Sequence, residues 1–260
     1  MKTKLKLISA IAVAVILVSC KKPDAGPEGP AGAQGPGGPV LSGNLKGFIS
    51  HYDLSGAKMT TNLAGDTVSI DGGGQISATD ASGMFSFAGL TTGVYNLTVK
   101  RAGYGSTKIQ SAQFTGGGDT YRNANISKTP VTNVTTFMAY DTTINTINYI
   151  RLRGSLPTAL YAQSVIVYVG IPGIATVNSS SANQISYYTL NIGANSGSFS
   201  KNIPTADFYD LGYVATNSAY FAAYTIGGNI NASSYADLTN NKTIFTALGS
   251  TAALANAPVQ

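Results

Sequence analysis

The sequence predicts an all-β protein, with two β-sandwich domains after a signal peptide and a Gly/Pro-rich stalk. The composition favours this fold class, because only 10% of residues are charged while glycine and tyrosine occur 30 and 15 times. Short segments of alternating apolar and polar residues also recur after residue 40. Clusters of Gly, Asp, Asn and Ser separate these segments, as turns separate the strands of an antiparallel sheet.

The N-terminal residues have the pattern of an export signal. Lys2, Lys4 and Lys6 precede an apolar run from Leu7 to Val18. This run is shorter than the roughly 20 apolar residues that a membrane-spanning helix needs. We therefore predict a signal peptide over residues 1–19.

The apolar run ends in Leu17-Val18-Ser19-Cys20, and Cys20 is the only cysteine of the chain. These four residues resemble the lipobox of bacterial lipoproteins. The resemblance implies cleavage before Cys20 and lipid attachment to it, which would make a membrane the first partner of the protein. Lys21 follows where retention in the inner membrane would need aspartate. The resemblance therefore implies an outer-membrane location, facing either the cell surface or the periplasm.

Residues 20–40 are predicted to be a lipidated linker. Glycine returns at every third position of this segment, at Gly26, Gly29, Gly32, Gly35 and Gly38. The pattern resembles collagen, in which only glycine fits the axis of three chains. Two forms remain open, an extended polyproline-type stalk on a monomer and a stem that forms a trimer. In the extended form, 20 residues would span roughly 60 Å.

Residues 41–129 are predicted to form the first sandwich. The stretch "TDASGMFSFAGLTTGVYNLTVKRAGY" resembles the carboxypeptidase regulatory-like domain, a transthyretin-like sandwich related to Cna-B repeats. The resemblance implies an accessory module rather than a catalyst. Within the stretch, Asp80 and Gly83 are predicted to form a turn, and Gly83 and Gly93 to take positive φ at hairpin corners. Alternating strands are predicted around Val68 and Ile70, Phe85 and Phe87, and Tyr95, Leu97 and Val99.

Some relatives of Cna-B domains carry an isopeptide bond between a lysine of the first strand and an asparagine of the last. Lys46 and either Asn123 or Asn125 occupy corresponding positions in this sequence. The domain lacks the glutamate that would assist the reaction, so we expect no cross-link. An aspartate would have to replace that glutamate, and the candidates are Asp66, Asp71 and Asp80.

Residues 130–260 are predicted to form a second sandwich, Ig-like or fibronectin-III-like. Ala252–Ala255 is interpreted as a short terminal helix or a tail. Tyrosine is frequent in this half, and it would either stack on sugars or pack in the strands. The absence of tryptophan favours packing. The tyrosines are Tyr140, Tyr149, Tyr161, Tyr168, Tyr187, Tyr188, Tyr209, Tyr213, Tyr220, Tyr224 and Tyr235.

The charge distribution gives no indication of a nucleic-acid partner. The formal net charge is +5, but three of the 16 basic residues lie in the signal peptide, which leaves 13 against 11 acidic residues. So small an excess is not a nucleic-acid footprint. Arg151 and Arg153 alternate along a predicted strand and are interpreted as its solvated face.

No catalytic motif is convincing, and we expect a protein without enzymatic activity, metal or cofactor. Two S-x-x-K matches, Ser55–Lys58 and Ser198–Lys201, lie outside any helical pattern, and His51 is the only histidine. Asp207 and Asp210 are a possible calcium pair, but no D-x-D-x-D loop surrounds them. Two distant aspartates meeting as a glycosidase pair would be the catalytic alternative.

The sequence therefore favours a non-catalytic, lipid-anchored envelope protein that displays β-sandwich modules for binding, adhesion or a structural role. The alternative is an accessory glycan- or peptide-binding lipoprotein of a nutrient-uptake system. The expected partners are a membrane, through Cys20, and a surface glycan or protein. A deep groove lined by tyrosines and asparagines would favour the alternative.

Overall fold

The computed structural model describes Gly38, residues 40–179 and residues 181–260. The predicted signal peptide, Cys20 and nearly all of the predicted stalk therefore lie outside the described residues. Within the described ranges, no helix is long and apolar enough to cross a membrane.

The chain is an all-β protein, as its alternating pattern predicts. Its strands are numbered in chain order. The first eight are β1 (Ser42–Tyr52), β2 (Thr67–Ile70), β3 (Ile76–Ala78), β4 (Met84–Thr91), β5 (Gly93–Lys100), β6 (Thr107–Phe114), β7 (Asp119–Tyr121) and β8 (Ala124–Ser127). The remaining strands are β9 (Thr136–Ile144), β10 (Ile147–Ser155), β11 (Gln163–Val169), β12 (Ser186–Ile192), β13 (Ser198–Pro204), β14 (Ser218–Ile226), β15 (Ser234–Asp237), β16 (Lys242–Phe245) and β17 (Ala253–Pro258).

The first eight strands form two facing sheets. One has the order β4-β1-β7, with β8 also pairing with β1, and the other has the order β3-β2-β5-β6. Strand β1 is antiparallel to β4 and parallel to β7 and β8. The inward residues of the alternating strands form one core, as predicted. This core contains Leu45, Ile49, Val68, Ile70, Phe85, Phe87, Leu90, Leu97, Val99, Phe114 and Ile126.

A second pair of sheets follows, with the orders β13-β10-β9 and β12-β11-β14-β17. The core between them includes Ile150 and Leu152 from β10 and alternate valines of β11. Strand β11 is buried along its whole length. Its other face contributes Ile166 and Tyr168 to a smaller apolar cluster with Phe245 of the β15–β16 hairpin. The hairpin therefore covers the outside of this sheet.

Three local predictions are wrong or incomplete. Residues 252–255 form neither helix nor tail, because Ala253–Pro258 is a strand paired with β14. A short helix, α1 (Thr205–Asp210), follows Pro204 and was not predicted. Gly83 has the expected positive φ of 81°, but Gly93 does not, and Gly89 with a φ of 68° takes the left-handed position instead.

The two pairs of sheets contact each other within one compact unit, residues 40–260. Glycines allow the backbones to approach closely there. A Cβ atom on Gly228 would meet the backbone of Leu54 and Gly56, and one on Gly105 would meet that of Ala247. The domain boundary at residue 130 stays a prediction.

Candidate functional site

A β-bulge interrupts the pairing of β5 with β6. The register shifts between Tyr95 and Leu97, so that Gln110 and Ser111 lie opposite Asn96. Ser111 has a φ of 52°, a conformation that costs a non-glycine residue about 1–2 kcal/mol. Bulges of this kind often re-aim side chains next to functional sites.

The bulge directs Gln110 toward the β15–β16 hairpin. The backbone N–H of Leu238 donates to Oε1 of Gln110 over 3.0 Å. A cleft of about 240 Å³ lies between the bulged sheet and the hairpin, and we call it the bulge cleft. It is lined by Asp71, Asn96, Lys108, Gln110, Ser111, Tyr235, Asp237, Leu238 and Thr239.

Asp71 enters the bulge cleft from the turn after β2. Its Oδ1 atom accepts a hydrogen bond from the hydroxyl of Thr98 over 2.6 Å. Its Oδ2 atom lies 3.5 Å from the ammonium group of Lys108. Asp71 and Lys108 are exposed and Thr98 is half-buried, so the carboxylate and the ammonium group both remain accessible to a polar ligand.

Asp237 lines the opposite side of the bulge cleft, at the end of β15. Its Oδ2 atom accepts from the side-chain amide of Asn240 over 2.7 Å, and its Oδ1 atom accepts from the N–H groups of Thr239 and Asn240. The bond from the Asn240 side chain, with these backbone bonds, holds the pKa of Asp237 below its ordinary value. The three accepted hydrogen bonds make Asp237 a hydrogen-bond acceptor on this side of the cleft.

The bulge cleft offers hydrogen-bond donors and acceptors in close alternation, with one aromatic ring. Carboxylates, side-chain amides, an ammonium group and the phenol of Tyr235 all line it. Its volume is below the roughly 300–1,000 Å³ of pockets that enclose drug-sized ligands. The cleft therefore suits one small polar unit, such as the end or a single residue of a longer chain.

His51 lies in a separate buried group. Its Nε2 atom is 2.7 Å from Oδ2 of Asp66, and neither side chain is exposed. Arg101 lies 3.0 Å from Oδ1 of the same carboxylate and over the ring of Tyr104. Arg101 and Tyr104 also line a second, wider cleft of about 500 Å³ beside Thr246. The structure thus places His51 in a buried hydrogen-bond network around the carboxylate of Asp66.

The two S-x-x-K matches serve local structure. Ser55 donates to Oδ1 of Asp53 in a turn, both from its hydroxyl and from its backbone N–H. Ser198 and Lys201 lie on β13, and the ammonium group of Lys201 lies 5.4 Å from the ring centre of Tyr188.

The parallel pairing of β1 with β7 and β8 brings Lys46 near the asparagines that a cross-link would need. The ammonium group of Lys46 instead lies 2.6 Å from Oδ2 of Asp119. Asn123 accepts a hydrogen bond from the backbone N–H of Phe48. Both groups have non-covalent partners in the structure, and the absence of a cross-link stays a prediction.

Asp207 and Asp210, the possible calcium pair, both lie on α1. In the described part of the chain, no three His, Cys, Asp or Glu side chains are grouped as metal ligands would be.

The tyrosines divide between packing and surface. Tyr168 and Tyr213 are buried in the cores, as the packing interpretation predicts. The hydroxyl of Tyr213 donates to the carbonyl oxygen of Gly170 over 2.6 Å, and burial raises the pKa of Tyr213 to about 12. Of the tyrosines named above as candidates for stacking on sugars, only Tyr235 lines the bulge cleft. The bulge leaves only a faint sequence signal, since the inward residues Ile109 and Ala112 are three positions apart where regular alternation would make them two apart.

Comparison with known proteins gives likeness of fold only. No family model matches the chain, and no curated protein sequence matches it. A DUF3823 family protein from Parabacteroides merdae is similar over 81% of this chain and 98% of its own, with 11% identity and a TM-score of 0.26. The major pilin SpaD from Corynebacterium diphtheriae is similar over 83% of this chain and 64% of its own, with 11% identity and a TM-score of 0.26.

A type II cohesin–X-dockerin complex from Acetivibrio cellulolyticus matches 33% of this chain, with 21% identity and a TM-score of 0.28. The match spans little more than half, 58%, of that chain. Fold and cleft together define an all-β protein that carries a small polar cleft.

Proposed function

We propose that the protein is a non-catalytic binding protein, anchored to the outer membrane through lipids on Cys20, and that its bulge cleft binds a saccharide. One observation carries the proposal. A strained bulge and a hairpin bring Asp71, Asn96 and Tyr235 to one accessible cleft. These residues come from segments that are far apart in the sequence.

The chemistry of the lining favours a sugar over an apolar ligand. Each sugar hydroxyl is both a donor and an acceptor, so it pairs with carboxylates such as Asp71 and with amides such as Asn96. The ring of Tyr235 supplies an apolar face with a polar tip. The cleft has one tyrosine and one asparagine, Tyr235 and Asn96, which supports the accessory glycan-binding role over a purely structural one. A peptide ligand is the competing outcome.

The anchoring part of the proposal rests on the sequence. Leu17-Val18-Ser19-Cys20 resembles a lipobox, and stable anchoring is typical of a lipidated cysteine that carries more than one acyl chain. The Gly/Pro segment after Cys20 would then hold the sandwiches roughly 60 Å from the bilayer if extended. Such a spacer suits capture of a polymer beside the membrane.

Binding to oligosaccharides tests the cleft. We would screen the purified Cys20→Ala protein against a glycan array and measure the hits by calorimetry. Asp71→Asn and Tyr235→Ala should each weaken binding about tenfold, the effect of losing roughly 1.4 kcal/mol of contacts. Tyr209→Ala, at an exposed tyrosine on α1, is the matched control and should stay within twofold.

Two results would overturn the saccharide assignment. One is a protein that binds peptides but no oligosaccharide, and the other is oligosaccharide binding that both cleft variants leave unchanged. Release of sugar from aryl glycosides by the purified protein would overturn the non-catalytic part.

Cell fractionation tests the anchor separately. The wild-type protein should sediment with outer membranes, and the Cys20→Ala variant should become soluble. Protease treatment of intact cells then distinguishes the two orientations, because only a surface-facing protein is cleaved. A Cys20→Ala variant that still sediments with membranes would contradict lipid anchoring.

A further inference from the structure

The outer face of the β9–β10–β13 sheet carries an unusual ladder of side chains. Direct cross-strand pairing places Arg151 between Tyr140 and Asn202, and it places Arg153 between Met138 and Ser200. The register shows no bulge, so all six residues lie on the same face of the sheet. We call them the arginine face, which consists of Met138, Tyr140, Arg151, Arg153, Ser200 and Asn202.

The positive charges of this face have no carboxylate partner. Within residues 40–179 and 181–260, Lys46, Arg101 and Lys108 lie within ion-pair distance of carboxylates, whereas Arg151 and Arg153 do not. The Nε atom of Arg151 donates to a neutral group, Oδ1 of Asn202, over 2.7 Å. The guanidinium groups start from Cα atoms about 7 Å apart on one strand, where like charges repel.

The neighbouring positions do not compensate the charge. The outward positions of the three strands carry hydroxyl, amide, apolar and aromatic side chains, and none carries a carboxylate. Asp141 is paired with Ile150, so it belongs to the opposite side of the sheet. Partial burial would raise the pKa of Tyr140, but hydrogen bonds and positive charge from Arg151 and Arg153 hold it below its ordinary value.

We propose that the arginine face binds an anionic polysaccharide through the carboxylate or sulfate groups of successive sugars. Guanidinium groups bind such anions in a bidentate manner, and a bound anion would relieve the repulsion between Arg151 and Arg153. Tyr140 presents an aromatic ring, and Asn202 and Ser200 present groups that pair with sugar hydroxyls. An open sheet face suits an extended polymer.

The observations favour this ligand over two other polyanions. Duplex DNA is bound by proteins that neutralise several phosphates at once, and two arginines on a chain with a small net charge supply too few contacts. A membrane surface is bound by apolar side chains together with basic ones. Met138 is the only apolar side chain paired directly with either arginine, and the next apolar residues of this outer face, Ile144 and Ile147, lie at its hairpin end.

The arginine face and the bulge cleft share no residue, and they lie on different sheets. Failure of one proposal therefore leaves the other intact. Uncharged oligosaccharides test the bulge cleft, whereas charged polymers with arginine variants test the arginine face.

Affinity electrophoresis of the full-length protein in uncharged detergent tests the proposal, with polygalacturonate, dextran sulfate and uncharged dextran in the gels. At least one charged polymer should retard the wild-type protein, and added salt should reduce the retardation. Arg151→Ala/Arg153→Ala should weaken this binding at least tenfold. Any retardation by dextran should be unchanged.

The matched control is Lys58→Ala/Lys100→Ala, which removes two exposed positive charges from the first pair of sheets. It should bind the charged polymers within twofold of wild type. Arg151→Lys/Arg153→Lys keeps the charge and loses the planar fork, so it should show an intermediate loss. If the alanine variant does not fold, the loss of polymer binding in Arg151→Lys/Arg153→Lys tests the proposal in its place.

Three outcomes would overturn the proposal. The first is a wild-type protein that binds neither charged polymer. The second is an equal loss of binding in Arg151→Ala/Arg153→Ala and in the control Lys58→Ala/Lys100→Ala, and the third is wild-type affinity in the arginine variants. Tighter, arginine-dependent binding to duplex DNA or to phosphatidylglycerol vesicles would likewise replace the polysaccharide with a different partner.

Discussion

The backbone N–H of Ser111 donates to Oδ1 of Asn96 over 2.8 Å, across a bulge at which Ser111 has a φ of 52°. The left-handed conformation costs about 1–2 kcal/mol, and a hydrogen bond of this kind returns about 1 kcal/mol. The hydrogen bond to Asn96 therefore offsets part of the conformational cost of the bulge. The bulge turns Gln110 toward Leu238 and so helps to form the bulge cleft.

Asn96→Ala should destabilise the protein by about 1 kcal/mol, because the N–H of Ser111 loses its partner. Urea denaturation measures the change, and calorimetry should show weaker saccharide binding. Adding Ser111→Gly should restore most of the lost stability, since glycine adopts positive φ at little cost. Asn96→Asp keeps the acceptor and is the control. Equal stability of Asn96→Ala and wild type would contradict this account of the bulge.

The sequence predicts those parts of the fold that depend on alternation. Val68 and Ile70, and Ile150 and Leu152, lie in cores because residues two apart on a strand share a face. Alternation also places Arg151 and Arg153 together on the outside. Alternation does not predict that a hairpin covers β11. This strand is buried on both faces, so its residues show no period of two that would tell one face from the other.

The bulge cleft is hidden from the sequence for another reason. Its lining comes from the turn after β2, from β5 and β6, and from the β15–β16 hairpin. Contacts of such long range follow from how the sheets pack. A side-chain hydrogen bond from the N–H of Ser111 to Asn96 helps to hold the bulge, and the sequence does not reveal that bond.

Tyr213→Phe should destabilise the protein by about 1–2 kcal/mol, because the carbonyl group of Gly170 loses its buried donor. The raised pKa of Tyr213, about 12, also predicts a pH effect. Its stabilising contribution is complete below the ordinary tyrosine pKa of about 10 and is lost as the pH rises toward 12. We would measure the free energy of unfolding by guanidinium denaturation at pH 8 and at pH 11. Its decrease between the two pH values should be smaller in Tyr213→Phe than in the wild-type protein. An identical loss in both proteins would exclude Tyr213 as the cause.

Gly228→Ala should weaken the contact between the two pairs of sheets. The new Cβ atom would lie against the carbonyl oxygen of Leu54 and 2.5 Å from the backbone nitrogen of Gly56. Overpacking of this kind typically costs about 1–3 kcal/mol, and calorimetry should show a lower or divided thermal transition. Gly193→Ala is the control, because nothing lies within 4 Å of its Cβ position. Equal melting temperatures for the two variants would show that the contact between the two pairs of sheets accommodates the added Cβ atom without loss of stability.

Asp66→Ala should be the most damaging of these substitutions. Asp66 is fully buried and accepts from both His51 and Arg101. Its loss leaves the guanidinium group of Arg101 without its carboxylate and Nε2 of His51 without its hydrogen-bond partner. Removing one member of a buried ion pair costs about 3–5 kcal/mol. Asp141→Ala, at an exposed aspartate, should change the free energy of unfolding by less than about 0.5 kcal/mol. Urea denaturation of both variants measures the difference, and a loss below about 1 kcal/mol for Asp66→Ala would mean that water or neighbouring groups replace the carboxylate.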